Sequence, residues 1–225
     1  RRGWIVKDMM KMIRSQDVGD IGIGALIVFI AMVLIAGIAA SVLVQTANRL
    51  EIQAMQTGEQ TKGEVSTGLS VFDINGEHDN GKITKIGITI RPRAGSGDID
   101  LNNTVVEISN GDKKALLSYN ILAVWNFHSE VNQTTASIFG TGPWNMTNEE
   151  FGIIVLEDED SSCTSSTPVI NRGDKILLCI NVSVLFSGLD PRKDVWGAVI
   201  PEEGSMGVYA FRVPPSLTDT VYDLY

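Results

Sequence analysis

Twenty-four consecutive residues, Ile21 to Val44, carry no charge, and this run limits the folds open to the chain more than any other feature. Fifteen of them are large apolar residues, five are alanine, three are glycine, and Ser41 is the only hydroxyl. A helix of that length extends about 36 Å at about 1.5 Å per residue, enough to cross a bilayer core. Apolar side chains fall on every face, so the helix cannot lay one side on a globular core as an amphipathic helix does. Lipid or other helices must surround it. Burying the large side chains at ~2 kcal/mol each gives a gross stabilisation of roughly 30 kcal/mol, an upper bound.

Charge divides along the same line. The formal net charge of the 225 residues is −9, yet residues 1–19 hold five basic and two acidic residues, a net of +3, which leaves −12 on the rest. So acidic a body is a poor partner for nucleic acid, because neutralising phosphates and releasing their counterions drives that binding. Nucleic acid is therefore excluded.

A basic stretch followed by an apolar run fits three arrangements. A secretory signal peptide is disfavoured, since its apolar part usually spans only about 7–15 residues. A plain anchor, with the basic residues held on the cytoplasmic side, satisfies the run taken alone. The third is a leader removed just before the run, which is then kept as an assembly helix. Details within and beyond the run favour this one. Helical character continues through Gln45–Met55, where Ala47, Leu50 and Ala54 form a narrow stripe suited to helix contact. Small residues also recur four apart at Ala36/Ala40 and Gly37/Ser41, which lets helix backbones approach closely. An anchor needs neither feature. Gly58, Gly63 and Gly68 are expected to mark the helix end and a join.

From Leu69 onward, short β-type runs alternate with Gly, Asn, Asp and Pro. Strands are expected at 69–74, 82–91, 103–109, 113–119, 121–127, 151–156, 175–186, 195–200 and 206–213. Asp79-Asn80-Gly81 and Asn110-Gly111-Asp112 stand where hairpin turns belong. Many short strands with regular turns imply an antiparallel sandwich, so the fold class is α+β.

The stretch from Gly19 through Gly22-Ile23-Gly24 to Leu26-Ile27-Val28-Phe29-Ile30-Ala31-Met32-Val33 resembles the start of mature archaeal flagellins (archaellins). Gly188-Leu189-Asp190-Pro191-Arg192, Val199-Ile200-Pro201-Glu202 and Phe211-Arg212-Val213-Pro214-Pro215-Ser216 are similar to the C-terminal region of that family, so the likeness covers essentially the whole chain. The resemblance implies a type IV pilin-like subunit. A membrane-embedded prepilin-type peptidase would cut between Gly19 and Asp20. One departure is Val18, which stands where the family places a charged residue. The expected organisation is a basic leader at 1–19, an assembly helix at 20–65 and an exterior immunoglobulin-like β-sandwich at 66–225. The leader shows no starting methionine, so a longer precursor is expected. Implied partners are copies of the chain or related subunits, the peptidase, and the membrane before assembly. The implied role is an extracellular archaeal flagellum filament for swimming, with an adhesive pilus-like filament as the alternative.

Asn102, Asn132, Asn145 and Asn181 each begin an N-x-[ST] triplet without proline, all in the expected exterior domain, and glycosylation is expected there. Cys163 and Cys179 leave two states open, a single bridge in an oxidising location or two free thiols. Enzymatic chemistry is poorly supplied. His78 and His128 are the only histidines, and no phosphate-binding G-x-x-x-x-G-K-[ST] occurs. Asp73-x-Asn75-Gly76-Glu77-x-Asp79 lacks the closing Glu of a calcium loop and is expected at a solvated hairpin tip, and Glu157–Asp160 in a solvated loop. No cofactor and no metal are expected.

Overall fold

The computed structural model describes residues 2–126, 138–140, 142–146 and 149–225, with side chains from Ile21 onward. His128 and the expected glycosylation site Asn132 lie outside the described residues, and the Gly19–Asp20 bond lies before the described side chains. The chain divides into two compact units, Arg1–Gly58 and Glu59–Tyr225.

A single helix, α1, runs from Arg2 to Ser66. Gly58 and Gly63 lie inside it rather than at its end, which corrects the expectation above. An isolated helical glycine costs only about 1 kcal/mol, and good helix formers flank both, among them Gln56, Glu59, Gln60, Lys62 and Glu64. The last turn closes when Thr67 N–H donates to the Gly63 carbonyl. Gly68 then begins the second unit's first β contact, a bridge to Ser205.

The second unit is built on a hairpin of β1 (Leu69–Asp79) and β2 (Lys82–Pro92). Its turn uses Asn80 and Gly81, both at positive φ (51° and 81°), the geometry that matches the twist of paired strands. Ile83, Ile86, Ile88 and Ile90 of β2 are fully buried. Two-residue β3 (Ile99–Asp100) precedes β4 (Val105–Ser109) and the long β5 (Lys114–Asn126). β6 (Glu150–Glu157), β7 (Val169–Ile170), β8 (Lys175–Asn181), β9 (Asp194–Ile200), β10 (Gly207–Arg212) and β11 (Val221–Asp223) follow.

Nine of these strands form one sheet in the order β10-β9-β4-β5-β6-β8-β2-β1-β11, and β3 pairs with β7 separately. Pairing is antiparallel except between β5 and β6, which run parallel. β5 joins the two halves of the sheet. Its first residues pair with β4, its last with β6, and the register breaks between Tyr119 and Val124. The halves close over one core, in which Val106, Ile108, Val199 and Phe211 from one meet Ile74, Ile88, Ile153 and Ile180 from the other. This is the sandwich the sequence implies, with one parallel step.

Two local features differ from expectation. The run 175–186 stops being a strand at Asn181, whose side chain caps the short helix α2 (Val182–Phe186) by accepting the Ser183 N–H. Residues 73–79 belong to strand β1, so only Asp79-Asn80-Gly81 forms the hairpin tip, and Glu77 is held by Lys85 at 2.8 Å.

A bare helix and the candidate modification sites

Every large side chain from Ile21 to Val44 is 50–73% exposed. Among the described residues, this is the one helix long and apolar enough to cross a membrane. Two of its hydroxyl groups are satisfied within the helix: Thr46 Oγ1 donates to the Val42 carbonyl, and Thr57 Oγ1 to that of Gln53, both at 2.8 Å. Nothing inside the helix explains its glycines. A methyl group added at Gly22, Gly24 or Gly37 meets no atom within 4 Å. Small residues that a lone chain does not require mark a surface shaped for close approach by something else.

The four glycosylation candidates stand in different surroundings. Asn102 and Asn145 are exposed. Thr104, the hydroxyl residue of the first triplet, is buried, and its Oγ1 donates to the Asp100 carbonyl at 3.0 Å. Asn181 is committed at both ends of its amide. Its Nδ2 donates to the Trp144 carbonyl at 3.0 Å, while its Oδ1 accepts from Ser183 N–H and Oγ. That first contact fastens a second, smaller core onto the outer face of β6 and β8. Trp144 and Phe139 lie against each other there with ring centroids 4.8 Å apart, over Ile154, Leu177 and Cys179. Lys85 Nζ donates to the Phe139 carbonyl at 2.9 Å on the same side.

Both cysteines are free and buried, and they belong to different clusters, Cys163 to the main core and Cys179 to the smaller one. The bridge left open by the sequence is not formed. Burial raises both thiol pKa values, that of Cys163 to about 12 with Asp158 and Asp174 adding to the effect. Neither is a reactive thiolate near neutral pH.

One grouping was not legible in the sequence. Asp158 and Asp160, from the expected acidic loop, converge with the buried Asp174, and a carboxylate oxygen from each lies within 4.8 Å of the others. Among the described residues, these are the ones whose geometry suits a cation. The carboxylates also accept backbone and amide hydrogens. Asp158 takes Ser162 and Cys163 N–H, Asp160 takes Ser162 N–H and Asn171 Nδ2, and Asp174 takes Glu159 and Asn171 N–H. Hydrogen bonds from Asn171 and Ser162 lower the Asp160 pKa, whereas burial raises that of Asp174 against its two backbone bonds. Asp174 lies beyond a Ser/Thr-rich loop from the other two, so no local spacing announces the group.

The molecule thus combines a β-domain with its own closed core and a helix whose large apolar side chains from Ile21 to Val44 are exposed. Its sequence matches the archaeal-type flagellin family over residues 19–211. It is 46% identical over 202 residues to flagellin B2 of Methanocaldococcus jannaschii, covering 90% of this chain and 92% of that protein. Flagellin B3 of the same organism is 42% identical over 221 residues, covering 96% and 99%. The structure is similar to the crystal structure of archaeal flagellin FlaB1 from M. jannaschii, with a TM-score of 0.61 and 29% identity over 70% of this chain and 96% of that one. It also shares its fold with the subunit of the archaeal flagellum of Methanospirillum hungatei, at TM-score 0.59 and 12% identity over 90% and 98% of the two chains. The chain belongs to the archaeal-type flagellin family.

Proposed function

We propose that this chain is the precursor of a structural subunit of an archaeal flagellum filament, and that it acts by assembly and not by catalysis. One observation carries the proposal. The helix between Ile21 and Val44 leaves large apolar side chains at least half exposed on every face, in a chain whose β-domain is already closed. Before assembly, lipid covers the helix and the basic residues of 1–19 hold its N-terminus on the cytoplasmic face. A prepilin-type peptidase cuts between Gly19 and Asp20, which removes five basic residues. The family match beginning at Gly19 supports that boundary. The uncharged helix then exchanges lipid for neighbouring helices. Hydrophobic burial is nearly equal in the two settings, so close packing through the small residues supplies the net gain. Contacts that do not close on themselves propagate a helical polymer, secreted and turned for swimming.

In this arrangement residues 20–65 form the assembly helix and 66–225 the exterior domain. The exposed Asn102 and Asn145 are the favoured glycan carriers, whereas Asn181 serves the fold. The test is N-terminal sequencing of fibres sheared from cells. A mature chain starting at Asp20 is expected. One starting beyond Val44, or a chain recovered only from membranes, overturns the proposal.

A further inference from the structure

Residues 20–225 carry a net −12, yet one cleft of the β-domain is lined with cations. Arg91, Arg93, Arg172 and Lys175 border a cavity of about 490 Å³ between the end of β2 and the turn before β8, and the buried Asp174 is the single carboxylate in its lining. Lys175 is paired with Glu157 at 2.9 Å. Among the described residues, none of the three arginines pairs with a carboxylate. Arg91 lies over the Phe72 ring at 5.0 Å, and Arg93 Nη1 donates to Ser205 Oγ at 2.9 Å. By contrast, Lys82, Lys85, Lys114 and Lys193 of the same domain hold acidic partners. Guanidinium groups left without anions in so acidic a body form a site prepared for carboxylates from outside the chain.

A matching acidic element is on the same domain. Glu202 and Glu203 occupy the exposed turn between β9 and β10. Glu202 accepts one hydrogen from Asn103 Nδ2, and Glu203 has no partner among the described residues. Several other acidic groups are committed, while Asp79, Asp98 and Asp219 stand singly on exposed segments and do not offer two adjacent carboxylates on a held turn. Asp112 and Asp190 pair with lysines, and Asp158, Asp160 and Asp174 accept N–H groups. The turn itself is held in place. Ser205 N–H donates to the Thr67 carbonyl at 2.9 Å, and Gly204 sits at φ 92° with that carbonyl pressed against the place a Cβ would occupy. The turn therefore presents two carboxylates with little ordering left to do. Although the turn and Arg93 both contact Ser205 or its neighbours, they do not pair with each other inside one chain.

We infer that the Arg91–Arg93–Arg172 cleft receives the Glu202–Glu203 turn of a second copy, as a lateral contact between exterior domains. The inference rests on the polymer reading above. Two unlike patches on one molecule make a head-to-tail contact, which propagates along a fibre wherever its rotation does not close a ring. Each exposed ion pair is weak and screened by salt, but bidentate arginine–carboxylate geometry and repetition along the polymer add to it.

The test uses filaments from cells expressing the full chain, incubated at low ionic strength and sedimented to measure released subunit. Arg91→Glu with Arg172→Glu, or Glu202→Arg with Glu203→Arg, is expected to raise the released fraction about tenfold, the change that two or three ion pairs per contact supply. Combining all four reversals is expected to restore release to the wild-type value, which a merely structural effect of either pair would not do. All four residues are exposed, so the reversals leave the core untouched. Unchanged release in both double variants, or a combined variant as unstable as either, overturns the contact while leaving the polymer reading intact. Wild-type cells without fibres overturn both.

Discussion

An added methyl group separates the two units of this chain. At Gly37 of the helix it meets nothing within 4 Å, while at Gly197 of β9 it meets Tyr209 Oη at 2.6 Å and the Glu107 carbonyl closer still. Large side chains follow the same division. Leu43 is 70% exposed, whereas Ile83, Ile86, Ile88 and Ile90 are at 0%. The β-domain is complete by itself, with both halves of its sheet spent on a shared core. The helix is half of a structure whose other half must come from lipid or from other chains. Stability and assembly are therefore written in separate residues, and substitutions should be able to alter one without the other.

The largest effect should come from a charge in the bare helix. Leu34→Asp places a carboxylate where every neighbour is apolar, at about 3 kcal/mol for a residue in mid-helix in lipid. Fibres are expected to vanish from electron micrographs of the variant cells, while the β-domain of the detergent-solubilised chain melts as in the wild type. If the domain melted earlier too, the two units would not be independent and the comparison would fail.

Gly197→Ala is the opposite probe. Its new methyl group must displace the Glu107 carbonyl and the Tyr209 hydroxyl, whose mutual hydrogen bond is 2.9 Å long. Loss of about 3 kcal/mol of domain stability is expected, at the upper end for overpacking, read from denaturant unfolding. Next in size is Asn181→Ala, which removes the cap of α2 and the link to Trp144 together. Such caps contribute about 1 kcal/mol and the added hydrogen bond about another. Asn102→Ala, at an exposed triplet, should leave unfolding unchanged.

Asn181 also shows where the sequence stops being readable. Asn-x-Ser is at once a glycosylation triplet and a helix start, because the same short side chain can carry a sugar or cap a backbone. The contact with Trp144, far away in sequence, engages this amide in the fold, and no local pattern announces it. Long periodic signals survived this ambiguity: the apolar run of α1, the alternation in β2 and the Asn80-Gly81 turn all fold as expected. Strands β3, β7 and β11 have two or three residues and no period to detect. Gly58 and Gly63 stay helical because their neighbours outweigh two small penalties. The Asp158–Asp160–Asp174 group depends on a loop returning to its start, which composition does not encode.

That group offers a smaller test, one of pH. Hydrogen bonds from Asn171 and Ser162 lower the Asp160 pKa in the folded domain, so they stabilise it above the ordinary carboxylate range. This contribution is lost as pH falls through the lowered value. Asp174 has the opposite sign: burial raises its pKa, and what it contributes is lost as pH rises through that value. Asp160→Asn should therefore flatten the acid side of a melting-temperature profile, and leave the slope above it, where Asp174 titrates, as before. An unchanged acid limb would mean that those hydrogen bonds persist in the unfolded chain.

Gly37→Ala should have the smallest effect on the lone chain and the most telling contrast with Gly197→Ala. Helix propensity favours alanine by about 1 kcal/mol, and nothing within the chain obstructs the new methyl group. Domain unfolding should be unaltered, and helicity of the solubilised chain equal or slightly higher. Fibres, if they form, should dissociate at lower temperature, because the close approach at Gly37/Ser41 is partly filled. A fibre as heat-resistant as the wild type would mean that this stripe faces no neighbour. The small residues would then belong to the helix's time in lipid, and the assembly surface would have to be sought on another face of α1.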